Sequence, residues 1–304
     1  MKTFELGAKY SNPIVLSLGF FDCIHIGHKS LITIANKIAK KNGYDSFLMT
    51  FSNDPSVLFG KSKQIYTFDD RVESLKNLGI TGVISANFDE KFAAIEPNEF
   101  LKLLVGTLNI KCIVVGADYT FGINAEGDVE YLKKFCAVRG IRVEVVPFAC
   151  INGLKLSTRN LKSLLEAGDV KQLNAYLSEP YFMTGIVTHA KHNGTRMGFP
   201  TANISQNPDR FPLADGVYAT KVVVDGREYP SMTNVGAKPT FGDFLPTVET
   251  HIMGFYDDLY GKTVKIKFFE RIRDIKTFDS IEALRVQLTQ DEQHVLKLFG
   301  TIKS

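Results

Sequence analysis

In the first half of the chain, apolar positions alternate between two periods. Apolar, β-rich runs at residues 14–18, 46–51, 82–85, 112–115 and 142–146 read as buried strands. Between them Leu31, Ile34, Ala35 and Ile38, then Val72, Leu75 and Leu78, then Phe100, Leu101 and Leu104, fall at helical spacing. Strands alternating with helices predict a parallel sheet covered on both faces, an α/β domain whose ligands bind beyond the carboxyl ends of the strands. After Ser157 two short helical patterns follow, and Ser178-Glu179-Pro180 breaks the periodicity. Beyond Tyr181, short runs at 182–188, 217–224, 248–252 and 264–269 are separated by Asn193-Gly194, Asp215-Gly216, Asp225-Gly226 and Tyr260-Gly261-Lys262. These turn signals predict a small antiparallel barrel or sandwich. Its end is helical, with Asp279 and Glu282 as a capping signature and Leu284, Leu288, Val295 and Leu298 as an apolar stripe. The division falls into domains 1–180 and 181–304.

Composition narrows the classes. The 304 residues suffice for two domains with a sizeable core, and 44% hydrophobic with 23% charged residues is ordinary for a globular chain. A formal net charge of +3 is too small to argue for nucleic acid or an anionic membrane as a partner, whereas anionic small molecules fit. The opening Met1-Lys2-Thr3-Phe4-Glu5-Leu6 lacks the apolar core of a secretory leader, and no later run spans a bilayer, so a cytoplasmic protein is expected. Cys23, Cys112, Cys136 and Cys150 are widely spaced, which indicates reduced thiols rather than a disulfide framework or zinc site.

Three segments carry chemistry. Gly19-Phe20-Phe21-Asp22-Cys23-Ile24-His25-Ile26-Gly27-His28 follows the first strand and opens a helix. Two imidazoles and free backbone N–H groups at a helix mouth can face the phosphates of a nucleotide, although the tetrapeptide His25 to His28 is equally a turn when read alone. Ser157-Thr158-Arg159-Asn160-Leu161-Lys162 opens a second helix, where hydroxyls and a lysine can hold a leaving pyrophosphate or Ser157 or Thr158 can simply cap. Further on, Gly194-Thr195-Arg196-Met197-Gly198-Phe199-Pro200-Thr201-Ala202-Asn203 joins glycines with oxygen-bearing side chains. A hard cation wants such oxygens. Glu249, on the alternating stretch 248–252, reads by itself as an outward residue between core positions.

The first two segments resemble the nucleotidylyltransferase superfamily. The third, Gly194 to Asn203, resembles the riboflavin kinase family, whose mark is a glycine-rich approach to Pro-Thr-Ala-Asn. Stretches similar to that family follow in order: Gly216-Val217-Tyr218-Ala219, Asn234-Val235-Gly236-Ala237-Lys238-Pro239-Thr240-Phe241, and Val248-Glu249-Thr250-His251-Ile252 with Asp258-Leu259-Tyr260-Gly261. The whole chain thus resembles the bacterial bifunctional riboflavin kinase/FAD synthetase family. That resemblance implies an α/β N-terminal Rossmann-like nucleotidylyltransferase domain plus an all-β C-terminal flavokinase barrel ending in a helix. It implies ATP and phosphate contacts from Gly19, Phe20, Asp22, Gly27, Ser157, Thr158, Arg159, Gly194, Gly198, Pro200, Thr201 and Asn203. Transition-state stabilisation is implied for His25, His28 and Lys162, the role of base for Glu249, flavin contacts for Asp118, Asn124, Asp128 and Asn234, and Mg2+ ligation for Thr201 and Asn203. Riboflavin, FMN and ATP would be the small-molecule partners and FAD the final product, with no role for nucleic acid or membrane. The chain also departs from the family. Cys23 stands for a usual glycine, and Phe51-Ser52-Asn53-Asp54-Pro55 lacks the histidine of an FxPHP stretch. Thr120 and Ala125 stand for usual arginines, Arg159 for a threonine and Lys162 for an arginine.

The reading is therefore two reactions: riboflavin and ATP give FMN, then FMN and ATP give FAD with release of pyrophosphate. Three alternatives stay open at this level: a kinase whose N-terminal domain only binds nucleotide or flavin, a flavin carrier without turnover, and a nucleotidylyltransferase for another acceptor.

Overall fold

The computed structural model describes residues 1–60, 63–147, 150–151, 154–188, 199–205, 207–237 and 246–300. By its contacts the chain divides into two units, Met1–Ser157 and Thr158–Ser304.

Among the described residues of the first unit, β1 (Lys2–Glu5), β2 (Tyr10–Leu18), β3 (Asp45–Phe51), β4 (Gly82–Ala86), β5 (Leu108–Gly116) and β6 (Arg142–Val146) form a six-stranded sheet ordered β1-β4-β3-β2-β5-β6. Every pairing is parallel. Helices α1 (Ile26–Asn42), α2 (Phe68–Leu75), α3 (Glu90–Ala93), α4 (Pro97–Thr107) and α5 (Val129–Ala137) lie between the strands in sequence. Both faces of the sheet are covered, which is why its central strands β2, β3, β4 and β5 read as largely apolar runs. On one side Leu16, Leu18, Met49 and Val115 pack with Phe100, Leu104 and Leu132. On the other Val15, Leu48, Val83 and Val114 pack with Leu31, Ile32, Ala35 and Leu75. The chain runs from β2 outward to β3 and β4 on one side, then returns to place β5 and β6 on the other. The cleft between the carboxyl ends of β2 and β5 is thus the topological switch point where such sheets bind ligands.

β1 has no apolar run to mark it in the sequence; it is a mostly exposed edge strand paired with β4. The helical pattern from Val72 to Leu78 divides at Leu75, where α2 passes into a short 3-10 turn, Lys76–Leu78, ended by the left-handed Gly79. A two-stranded pair, β7 (Cys150–Ile151) with β8 (Leu154–Lys155), closes the unit.

The second unit opens with α6 (Thr158–Ala167) and α7 (Val170–Tyr176). Strands β9 (Phe182–Thr188), β10 (Ala202–Ile204), β11 (Gly216–Val224), β12 (Arg227–Ala237), β13 (Pro246–Ile252) and β14 (Thr263–Arg273) close into a barrel ordered β10-β13-β12-β11-β14-β9. Of the two expected architectures, barrel and sandwich, the barrel is the one formed. Helix α7 is tied to it by Asn174, whose Nδ2 donates to the Phe268 carbonyl at 2.8 Å and whose Oδ1 accepts from the Tyr181 N–H at 2.7 Å. Buried hydroxyls are paired with one another: Thr220 lies 2.8 Å from Ser231 and 2.7 Å from Thr233, and Thr233 donates to Thr250 at 2.9 Å. The chain ends in α8 (Ile281–Phe299). Its cap is Ser280, which accepts from the Ala283 N–H, and not the expected Asp279. Leu298 is 44% exposed, so the buried stripe is completed by Leu296 and Phe299 around Val295.

Candidate active sites

The segment after β2 is shaped by its hydrogen bonds. His25 caps α1, its Nδ1 accepting from the His28 N–H at 3.2 Å. The Nδ1–H of His28 in turn donates to the Cys23 carbonyl at 2.6 Å. The two rings stack with centroids 3.6 Å apart. These bonds fix both tautomers: neutral His25 carries its proton on Nε2, and neutral His28 leaves Nε2 as an acceptor. Burial pushes the His25 imidazole down to about 3, helped by the repulsion of His28, and burial also pushes His28 down to about 4, against the opposing pull of the Cys23 carbonyl and Asp118. Both are uncharged near neutral pH.

Backbone strain sits in the same loop. Phe21 adopts the left-handed region at φ 52, a conformation costing a bulky residue about 1–3 kcal/mol. Its ring is 2% exposed, packs into the core of α1 and lies 4.9 Å from the His28 ring, so burial offsets the strain. Asp22 is 2% exposed and accepts from the Ile65 N–H at 2.8 Å, bracing the loop from behind rather than lining the cleft. Cys23 is fully buried and supplies the carbonyl that orients His28.

The cleft is a cavity of about 970 Å³ lined by the histidines together with Phe20, Thr50, Phe88, Asp118 and Asn124. Its aromatic wall continues through Phe51, with Phe88 at 5.0 Å and Phe92 at 5.3 Å edge-on, and through Tyr119 stacked on Phe121 at 5.6 Å. A flat heteroaromatic ring suits such a wall, with the imidazoles left for phosphates. Burial pushes the Tyr119 hydroxyl up, so it stays an O–H donor. Asn124 and Ala125 follow Gly122 in left-handed conformations at φ 51 and 58. Gly122 itself is required: at φ +75 an added Cβ would stand 2.8 Å from the backbone nitrogen of Pro97. Asp118 and Asn124 therefore reach the cavity, whereas Asp128 caps α5 by accepting from the Tyr131 N–H at 2.7 Å.

One residue of this site carried no signal in the sequence. Arg71 is wholly buried and its guanidinium gathers the cavity's rear wall. It donates to the Phe20 carbonyl at 3.0 Å, to Thr50 Oγ1 at 2.7 Å, to the Phe51 carbonyl at 2.8 Å and to Gln64 Oε1 at 3.3 Å. Burial lowers its pKa to about 10, opposed by Asp22, Asp54 and Asp70, so it stays charged. The residues departing from the FxPHP stretch act structurally. Asn53 clasps Phe88 with Nδ2 to the carbonyl at 2.8 Å and Oδ1 from the N–H at 2.7 Å, and Asp54 accepts from the Ser56 N–H.

Ser157 ends the first unit; Thr158, Arg159 and Lys162 lie on the first turns of α6 in the second. The Lys162 ammonium lies 5.3 Å from the Phe211 ring.

In the barrel, register does the work. Asn203 on β10 stands opposite Glu249 on β13, and Asn234 on β12 stands opposite Glu249 on the other side. The three side chains therefore form a row across three strands on one face. Asn203 is 8% exposed, and its Nδ2 has no hydrogen-bond partner among the described residues. Turning the amide over presents an oxygen at that place, which fits a hard cation. Pro200, exposed, and Thr201, half-buried, immediately precede β10. Gly194 and Gly198 lie outside the described residues, as do the turn signal at Asn193-Gly194 and Lys238-Pro239-Thr240-Phe241.

An α/β unit with histidines at its switch point and a closed barrel with a Glu–Asn row are arrangements suited to nucleotidyl transfer and to phosphoryl transfer. The family pattern described as FAD synthetase matches residues 8–160, and that described as riboflavin kinase matches residues 177–299. The bifunctional riboflavin kinase/FMN adenylyltransferase of Bacillus subtilis is 32% identical over 95% of this chain and 93% of its own length. The protein of the same description from Escherichia coli is 29% identical over 95% and 94%. A solved chain described as a macrolide-efflux protein from Streptococcus pneumoniae superposes with a TM-score of 0.86 at 31% identity, covering 97% of this chain and 99% of that one. The chain belongs to the bifunctional riboflavin kinase/FMN adenylyltransferase family. It is a two-domain transferase with ATP and flavin substrates, and no helix among the described residues is long and apolar enough to cross a membrane.

Proposed function

We propose that the barrel carries the kinase reaction, that the cleft of the first unit carries the adenylyl transfer with Lys162 of α6 neutralising charge on the leaving pyrophosphate, and that FMN made in the barrel is the acceptor there. In the kinase reaction Glu249 takes the proton of the terminal ribityl hydroxyl as that oxygen attacks the γ-phosphorus of ATP. Asn234 on the neighbouring strand orients the flavin chain toward the carboxylate. Thr201 and Asn203 offer oxygens to Mg2+, which when bound would neutralise charge on the ATP phosphates. The observation that supports this reading most is the row Asn203–Glu249–Asn234, which brings oxygen donors and a carboxylate to one face.

In the adenylyl transfer the FMN phosphate is itself the nucleophile, so no protein base is needed. The aromatic wall holds the isoalloxazine ring, and His25 and His28 face the phosphates at the mouth of α1. His28 Nε2 is an acceptor in the neutral ring and must gain a proton to donate to a phosphate. Nucleotide binding therefore takes up a proton. Chromatography of products from riboflavin with excess ATP and Mg2+ tests the scheme. FMN should appear first and FAD follow; FAD without transient FMN would oppose it.

A further inference from the structure

His251 lies on the same face of β13 as Glu249, two residues along, while Thr250 between them turns into the hydroxyl cluster of the barrel interior. Its surroundings are specific. The ring is 8% exposed, meets Phe199 edge-on at 5.3 Å, and has Nδ1 2.8 Å from the Pro200 carbonyl. A carbonyl oxygen only accepts, so the proton of that bond resides on Nδ1. Pro200 immediately precedes Thr201, and the register Ala202–Thr250 and Asn203–Glu249, extended by one residue, sets Thr201 beside His251.

The other ring nitrogen faces the C-terminal helix, with Nε2 3.9 Å from Glu292 Oε1. Glu292 is itself held in place, because the preceding residue anchors the helix. Asp291 is 2% exposed and accepts from Arg273 Nε at 2.9 Å and Nη2 at 2.8 Å, and from Gln287 Nε2 at 2.9 Å. Phe199 packs with Met232, Met253 and Val295 under the same helix. A continuous set of contacts thus runs from β14 through α8 and the imidazole to the carbonyl that leads into Thr201.

We propose that His251 is a positioning residue of the kinase site, its Nδ1–H holding the Pro200 carbonyl so that Thr201 and Asn203 present their oxygens together. This rests on the reading of Thr201 and Asn203 as the Mg2+ ligands. Groups that orient ligands in this indirect way are commonly worth about 10–100-fold in metal affinity. The chemistry separates two nearly isosteric replacements. In His251→Asn the amide N–H lies near the place of Nδ1, whereas in His251→Gln it lies near the place of Nε2.

The test is riboflavin phosphorylation by the full chain at varied Mg2+ and saturating ATP. His251→Gln should raise the Mg2+ concentration for half-maximal rate about tenfold while kcat at saturating Mg2+ stays within about twofold. His251→Asn should stay within about threefold of the unmodified enzyme on both measures. Equal loss in Asn and Gln, or a fall in kcat alone, would overturn the proposal. A readout independent of turnover is the 15N spectrum of histidine-labelled protein without metal or nucleotide. A proton on Nδ1 of His251 is expected, and a neutral ring protonated only at Nε2 would also overturn it. Thr201→Val and Asn203→Ala in the same titration separate the two layers. If they leave the Mg2+ dependence unchanged, the ligand reading fails and takes the proposal with it. If they shift it and His251→Gln does not, only the role of His251 fails.

Discussion

The two units build their sites by different means. The first sets its groups on loops beyond the ends of parallel strands, where nothing in the strand ladder dictates their position. It relies on a helix cap made by a histidine, left-handed residues at Phe21, Asn124 and Ala125, and a buried guanidinium holding separate segments together. The barrel sets Asn203, Glu249 and Asn234 on adjacent strands, where register alone aligns them. A site built from loops is sensitive to remote supports; a site built on register is sensitive mainly to its own side chains.

The sharpest way to break this contrast is at the reacting groups. Glu249→Gln should cut riboflavin phosphorylation by about 10²–10⁴-fold while leaving FAD formation from supplied FMN within about twofold. His28→Ala should do the opposite, lowering FAD formation by about 10²–10³-fold with FMN production intact. Coupled assays on each half-reaction check both.

Arg71→Met tests the claim that supports matter more in the first unit. Removing the guanidinium takes the donor from the Phe20 and Phe51 carbonyls and from Thr50, and each buried group left unsatisfied costs about 1–3 kcal/mol. The first unit should unfold at lower temperature and the KM for FMN should rise, with kinase activity unchanged; calorimetry resolving two transitions reads the effect.

A smaller effect follows from the histidines. The folded-state pKa values of His25 and His28, about 3 and about 4, lie below the unfolded value of 6.5. As pH falls, the unfolded chain binds protons first, so the stability these rings contribute is present above about pH 6.5 and is lost from there down to about pH 4 for His28 and about pH 3 for His25. Their ring proton signals should not shift between pH 8 and pH 5. Adding ATP at pH 7 should release the opposite behaviour, seen as proton uptake by calorimetry in buffers of different ionisation heat. Smallest of all, Leu298→Ala should change stability by no more than about 0.5 kcal/mol, because that side chain is 44% exposed.

What the sequence disclosed follows the same divide. Central sheet strands were legible because burial on both faces leaves largely apolar runs, and the segment from His25 to His28 was legible as the carboxyl end of a strand; its position at the switch point required the strand order of the folded sheet. The edge strand Lys2–Glu5 was hidden because it buries little, and Arg71 because a buried arginine inside a helix looks like any surface one. In the barrel, β10 and β12 escaped a hydrophobic reading: the first is three residues long and the second contains Pro230. The row through Glu249 could not be read at all without their register. Asp22 and Asp128, to which the resemblance gives ligand contacts, accept from backbone N–H groups, one bracing a loop and the other capping a helix. Composition cannot tell a carboxylate that accepts from backbone N–H groups from one that faces a cleft.

The central claim is that the two half-reactions are housed separately and joined by FMN. Mixing Glu249→Gln protein with His28→Ala protein, each inert for riboflavin-to-FAD conversion, tests it directly. The mixture supplied with riboflavin and ATP should make FAD after a lag in which free FMN accumulates. A mixture that stalls at FMN while Glu249→Gln protein alone still converts added FMN would contradict transfer through free FMN, and loss of both activities in either variant would contradict separate sites.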